Sequence, residues 1–130
     1  AVAWFTGGEG TPNCSIALSR LPFGSDRFTS GVVVSERANY SNQNPVLFWN
    51  NQTSILHLYH SSQLGNAGET NSQIWHTQSE DQGQTWSTPS AFYSLAGAFD
   101  RNRIIPTMNK TGLILPCYNT STDFGYSVLV

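Results

Sequence analysis

Charge is scarce in this chain. Asp, Glu, Lys and Arg make up 11% of the 130 residues, well under the roughly 25% of an average globular domain. Six Lys and Arg stand against eight Asp and Glu, so there is no basic footprint for nucleic acid. No apolar run approaches the ~18 residues that a membrane helix needs, which excludes a helical membrane span. Helical composition is missing too, because 11 Gly and 6 Pro interrupt every stretch. Methionine occurs once, at Met108, and the start lacks a secretory signal. Ala1 opens inside a strand-like run, AVAWF, so the chain reads as an internal piece of a longer protein.

What is present is uncharged polarity and short β-type runs. Ser, Thr, Asn and Gln number 46, while Leu, Ile, Val and Phe number 30. With four Trp and five Tyr this is enough for a packed core. The apolar material is β-branched and aromatic and comes in runs bounded by turn residues, which predicts an all-β fold.

A repeat organises these runs. NPVLFWNNQTSILHLYHSS (44–62) lies over NRIIPTMNKTGLILPCYNT (102–120) without a gap, at an offset of 58 residues. Asn44 meets Asn102, Asn51 meets Asn109 and Thr53 meets Thr111; upstream, Ile16 falls on Ile74 and Phe28 on Trp86. Four strands fit within one repeat, near 45–49, 54–61, 72–78 and 91–93. Four short antiparallel strands recurring at this period are the signature of a β-propeller blade. The chain then holds a partial blade (1–35), a complete blade (44–93) and a partial blade (102–130), about two and a quarter in all.

Ser79-Glu80-Asp81-Gln82-Gly83-Gln84-Thr85-Trp86 fits S-x-D-x-G-x-T-W at every specified position. Its physics is that of a turn staple. Gly83 permits a positive φ, Ser79 and Asp81 can bond the turn's own amides, and Trp86 anchors the hairpin. One repeat earlier, LPFGSDRF (21–28) keeps only the aromatic residue.

This octapeptide is the Asp box of bacterial-neuraminidase-type repeats. Together with AWFTGGEGTPNCSIALSR (3–20), NPVLF (44–48) and RNRIIPTMNKTGLILPCY (101–118), in this order, it resembles the BNR-repeat sialidase-like family. The resemblance covers nearly the entire chain. It implies an all-β, six-bladed propeller with four-stranded antiparallel blades, and an exo-α-sialidase-type glycoside hydrolase that removes a terminal acidic sugar. It implies carbohydrate as partner and requires no cofactor.

Blade topology sorts the loops into two sets. Residues 7–13, 36–43, 61–71, 95–103 and 118–124 fall on one face, where the family's pocket is expected. The Asp box and the Asn51 and Asn109 turns fall on the other. The polar candidates on the site face are Glu9, Arg37, Asn44, Glu69, Asp100, Arg101, Asn102, Arg103, Tyr118 and Asp123. Sialidase chemistry needs arginines for the sugar carboxylate, an acid for the leaving oxygen and a Tyr nucleophile activated by Glu. Glu9, in GGEGTP, matches a Glu-Gly pair of the family and is the candidate acid/base. Arg103 and Arg101 are candidates for the carboxylate, with a surface ion pair to Asp100 as the other role for Arg101. Asn44 and Asn102 are candidate substrate contacts or strand-opening caps, and Tyr118 a stacking wall or core aromatic. The family often carries Asp where this chain has Asn13, which cannot donate an acidic proton.

Two further readings stay open. A polysaccharide lyase would use a His and a Tyr as base and acid, with His60 as its histidine. A non-catalytic carbohydrate-binding propeller would need no nucleophile, and none stands out here. His57 and His60, three apart on one strand, face opposite sides, so no metal site is expected. Cys14 and Cys117 are 103 residues apart and fall on different blades, which gives no basis for pairing them. Sequons at Asn13, Asn39, Asn51, Asn109 and Asn119 exceed the roughly two or three that chance would place, and suggest a secreted, N-glycosylated protein.

Overall fold

The computed structural model describes residues 1–108, 112–120 and 127–129. It is all-β, built from antiparallel sheets. β1 (Val2–Thr6), β2 (Ser15–Ser19) and β3 (Val32–Ser35) form the first sheet. β4 (Tyr40–Asn50), β5 (Ile55–Leu64), β6 (Gln73–Ser79) and β7 (Ser90–Tyr93) form the second, in sequence order. β8 (Ala98–Asp100), β11 (Cys117–Asn119) and β12 (Ser127–Leu129) form the third, while β9 (Ile105–Pro106) and β10 (Leu113–Ile114) make a separate two-stranded ladder.

The sequence period reappears in the strands. β2 and β6 begin at residues 15 and 73, β3 and β7 at 32 and 90, β4 and β8 at 40 and 98, and β5 and β10 at 55 and 113. The sheets therefore reuse one hairpin plan, and the side-chain alternation of the second puts one face on the first sheet and the other on the third. Leu56, Leu58 and His60 share the face of β5 turned to the first sheet, where His60 meets Ser35. Ser61 lies on the other face and reaches Asp100 of the third. Ile16, Leu18, Leu58, Ile74 and Phe99 are the apolar centre, each at most 1% exposed.

The first strand of the repeat is longer than its apolar stretch. β4 starts at Tyr40, four residues ahead of Asn44, and its buried opening segment, Ser41-Asn42-Gln43, is polar. Asn44 and Pro45 form a bulge: pairing passes from Gln43↔Ser61 to Val46↔Tyr59. Pro45 has no N–H to give the ladder, and Asn44 takes φ 53°. In the third sheet the same place, residues 101–104, separates β8 from β9. Asn44 thus sits at a mid-strand bulge and not at a strand opening, which corrects its reading as a strand-opening cap, while Asn102 lies in the gap between β8 and β9. β4 and β8 are edge strands of their sheets, and they pack beside each other.

Candidate functional site

The loops at one end of the sheets are joined by hydrogen bonds, most of them between backbones. Gly10 N donates to Ser41 Oγ (3.0 Å), Asn66 N to Gly10 O (2.7 Å) and Gly65 N to Asn39 O (2.9 Å). Farther along, Ala98 N donates to Ser72 O (3.2 Å) and Thr120 N to Gly97 O (2.9 Å). Glycine makes the first of these junctions possible. A Cβ on Gly65 would lie 2.6 Å from Pro12 N, and Gly7 takes φ 93° against the Asn13 carbonyl. Glu9 is exposed at the tip of this tied loop. Beside it, a polar groove of about 650 Å³ is lined by Pro12, Asn13, Ser15, Glu36, Arg37 and Asn39.

The interruption between β8 and β9 carries Arg101, Asn102 and Arg103, all exposed. Among the described residues neither arginine is in an ion pair; the pair present is Arg27–Asp26 (4.0 Å), on the surface. Asp100 therefore does not pair with Arg101. It is fully buried; Ser61 Oγ donates to its Oδ1 (2.5 Å) and Asp100 N donates back to Ser61 Oγ (3.1 Å). Its Oδ2 has no partner among the described residues. Burial pushes its carboxyl up to about 7, with the Ser61 hydrogen bond opposing. Across the ladder, burial and the Asp100 charge raise Cys117 to about 12. Cys14 and Cys117 are both free thiols. Tyr118 is half-buried and stacks on Phe99, centroids 5.4 Å apart at 21°. Asp123 lies outside the described residues, and Glu69 is exposed in a single 3₁₀ turn.

The Asp box lies at the opposite end of β6. Ser79 Oγ accepts from Gly83 N (2.7 Å) and donates to Asp81 Oδ1 (2.8 Å). Asp81 also accepts from Gln84 N (2.9 Å), Thr85 N (2.8 Å) and Thr85 Oγ1 (2.6 Å), while Trp86 Nε1 donates to Gly83 O (3.3 Å). The Thr85 hydroxyl and amide, with Ser79, hold the Asp81 carboxyl well below the usual carboxylate range. Every partner is inside the turn, so this carboxylate is committed to holding it closed.

A second clamp, unread in the sequence, repeats more faithfully than the box. Thr77 Oγ1 donates to Ser87 O (2.6 Å) and Ser87 Oγ accepts from Gln78 N (3.1 Å). In the first sheet Ser19 Oγ donates to Thr29 O (2.5 Å) and Thr29 Oγ1 accepts from Arg20 N (3.0 Å). The worn copy thus keeps its closure after losing its Asp. The available signal was a pair of hydroxyl residues ten apart, 19 with 29 and 77 with 87.

Arg37 is another residue whose role became visible only in three dimensions. Its guanidinium lies 3.5 Å from the Tyr40 ring centroid and 3.8 Å from that of Trp75, and Nη1 donates to Ser62 Oγ (3.0 Å). From the β3–β4 connection it packs on three strands of the second sheet, by cation–π contact and this hydrogen bond, and burial lowers its pKa. His60 is fully buried, 2.8 Å from Ser35 Oγ, and burial lowers it to about 4. It cannot reach a substrate from there. His57 Nδ1 and His76 Nε2 are 3.0 Å apart beside Tyr59 and Phe92. Burial lowers both, His76 to about 4. Among the described residues, no group of three or more His, Cys, Asp or Glu could hold a metal ion, and no helix is long and apolar enough to cross a membrane.

No curated protein matches the chain. Among solved structures it is similar to the Hadza microbial sialidase Hz136, with a TM-score of 0.74 and 12% identity, over 94% of this chain and 29% of that one. The chain thus spans under a third of that structure, and at this identity the likeness is one of fold. The model of the BNR repeat-like domain matches residues 1–129. With the Asp box closed on its own turn and the strands recurring at the same period, the chain belongs to the BNR repeat-like domain family.

Proposed function

We propose that this chain is part of a sialidase-like glycoside hydrolase, a six-bladed propeller that removes a terminal acidic sugar from glycans. The observation that carries this reading is the pair Arg101 and Arg103. Both are exposed at the interruption of an edge strand, and among the described residues neither has a carboxylate partner. A buried Asp100 fixes the strand just before them. Unpaired guanidinium groups match a sugar carboxylate in bidentate fashion. The sialidase-like fold supports the same substrate class.

In this mechanism Arg103 and Arg101 hold the carboxylate, Asn102 and Asn44 bond sugar hydroxyls, and Tyr118 helps wall the site. Glu9 protonates the leaving glycosidic oxygen from its tied loop. The reaction also needs a nucleophilic tyrosine activated by a glutamate. A fluorogenic sialoside given to the full-length protein tests this. Glu9→Gln is expected to lower kcat by ~10²–10⁴-fold, the usual contribution of a positioned acid. Arg103→Ala is expected to raise KM by ~10–100-fold, the loss of one charge-assisted hydrogen bond. An unchanged rate in Glu9→Gln removes Glu9 from the chemistry.

One observation favours a second reading, a carbohydrate-binding propeller without turnover. Glu9 is exposed, and among the described residues no hydrogen bond or ion pair holds its carboxylate; Asn13 nearby cannot serve as an acid. Saturable sialoside binding with no product release establishes that reading instead. His60 is fully buried against Ser35, which speaks against a lyase that uses it as base; an unsaturated, ultraviolet-absorbing product would establish that reading.

A further inference from the structure

The turn between β4 and β5 carries a modification motif that the loop face does not use. An Asn-x-Ser/Thr acceptor must be reachable, and its finished glycan must stay in solvent. By sequence the five sequons are equal; in three dimensions they are not. Asn51, Gln52 and Thr53 are all exposed. Asn50, not Asn51, closes the turn: its Oδ1 accepts from Gln52 N (3.0 Å) and Thr53 N (3.4 Å), and its carbonyl from Ser54 N (2.8 Å). A cleft of about 420 Å³, bordered by Asn51, Trp49, Pro106 and Leu113, leaves room beside it.

The other described sequons differ. Asn119 is 1% exposed, and its Nδ2 donates to Ala96 O (3.1 Å). Asn13 is followed by buried Cys14. Asn39, at φ 68°, is followed by half-buried Tyr40 and by Ser41, which is fully buried and bonded to Gly10 N and Gln43 Nε2. Asn109 lies outside the described residues. Among the described sequons, only that of Asn51 has all three residues exposed.

We propose that Asn51 is an N-glycosylation site when the protein passes through a eukaryotic secretory pathway, and that Asn119 stays bare in the folded protein. Nδ2 of Asn51 bonds to the anomeric carbon of a lipid-diphosphate-linked oligosaccharide. The bond from that carbon to the diphosphate oxygen breaks, the lipid diphosphate leaves, and the amide gives up one proton. The site stands on the turn opposite the tied loops, so a glycan there leaves Glu9 uncovered. This inference is independent of the proposed reaction.

The test is to direct the full-length protein through the secretory pathway of a eukaryotic cell and map its glycans by enzymatic release in ¹⁸O-water with peptide mass spectrometry. Asn51 should acquire the label and Asn119 should not. Asn51→Gln and Thr53→Ala should each remove the same single glycan while secretion continues. Asn119→Gln should leave the glycan count unchanged. An unlabelled Asn51, or a labelled Asn119 in the folded secreted protein, overturns the proposal.

Discussion

The Asp81 carboxylate takes hydrogen bonds from four groups of its own turn, and Ser79 sits beneath it at 1% exposure. Ser79→Ala strands the buried Gly83 N–H, so a loss of ~1–3 kcal/mol is expected, measurable by denaturant titration of the full-length protein. Because the folded Asp81 carboxyl is held below its ordinary value, its contribution is present above the normal carboxylate range and is lost on acidification below it. Asp100 has the opposite sign. Its folded value of about 7 lies above the ordinary 3.8, so between about pH 4 and 7 the folded state keeps a proton that the unfolded state has released. Stability from this group therefore falls as pH rises through that window. Asn42, one period earlier, shows that an amide fits the equivalent place: it is fully buried and its Nδ2 donates to Cys14 O (3.0 Å). Asp100→Asn should flatten the pH dependence of Tm between pH 4 and 7 and raise Tm above pH 7. Identical profiles for the two proteins would discard this assignment.

At the scale of elements, strand period and turn chemistry were largely legible. The strands expected near 54–61, 72–78 and 91–93 correspond to β5, β6 and β7, because alternation and Gly/Asn turns fix both register and ends. The start of β4 was not legible. Ser41-Asn42-Gln43 reads as loop by composition, yet it is buried because neighbouring loops supply its hydrogen bonds. Local propensity cannot report partners that arrive from another sheet. Two substitutions test the packing of elements. Leu58→Ala, at 0% exposure on the face toward the first sheet, should cost ~2–5 kcal/mol. Gly65→Ala drives a Cβ against Pro12 backbone atoms at 2.6–2.8 Å; it should cost ~1–3 kcal/mol and raise hydrogen exchange across residues 7–13.

On the scale of the whole molecule, β3 is a free edge with exposed Val32 and Val33, and Phe92 stands exposed on the second sheet. Unpaired edges template association. The 130-residue chain alone should therefore self-associate more strongly in sedimentation velocity than the full-length protein, and Val33→Lys on the edge should reduce that tendency. The sequence by itself determined the all-β class, the repeat and the Asp box turn, since period, turn residues and local hydrogen bonds are all short-range properties. Only the tertiary structure decided that Asp100 is buried, that His60 is out of reach, that Arg37 packs on Tyr40 and Trp75, and that Asn51 and Asn119 share a motif but differ in access. Burial and pairing depend on which strand lies opposite, and that is fixed by packing between sheets dozens of residues apart.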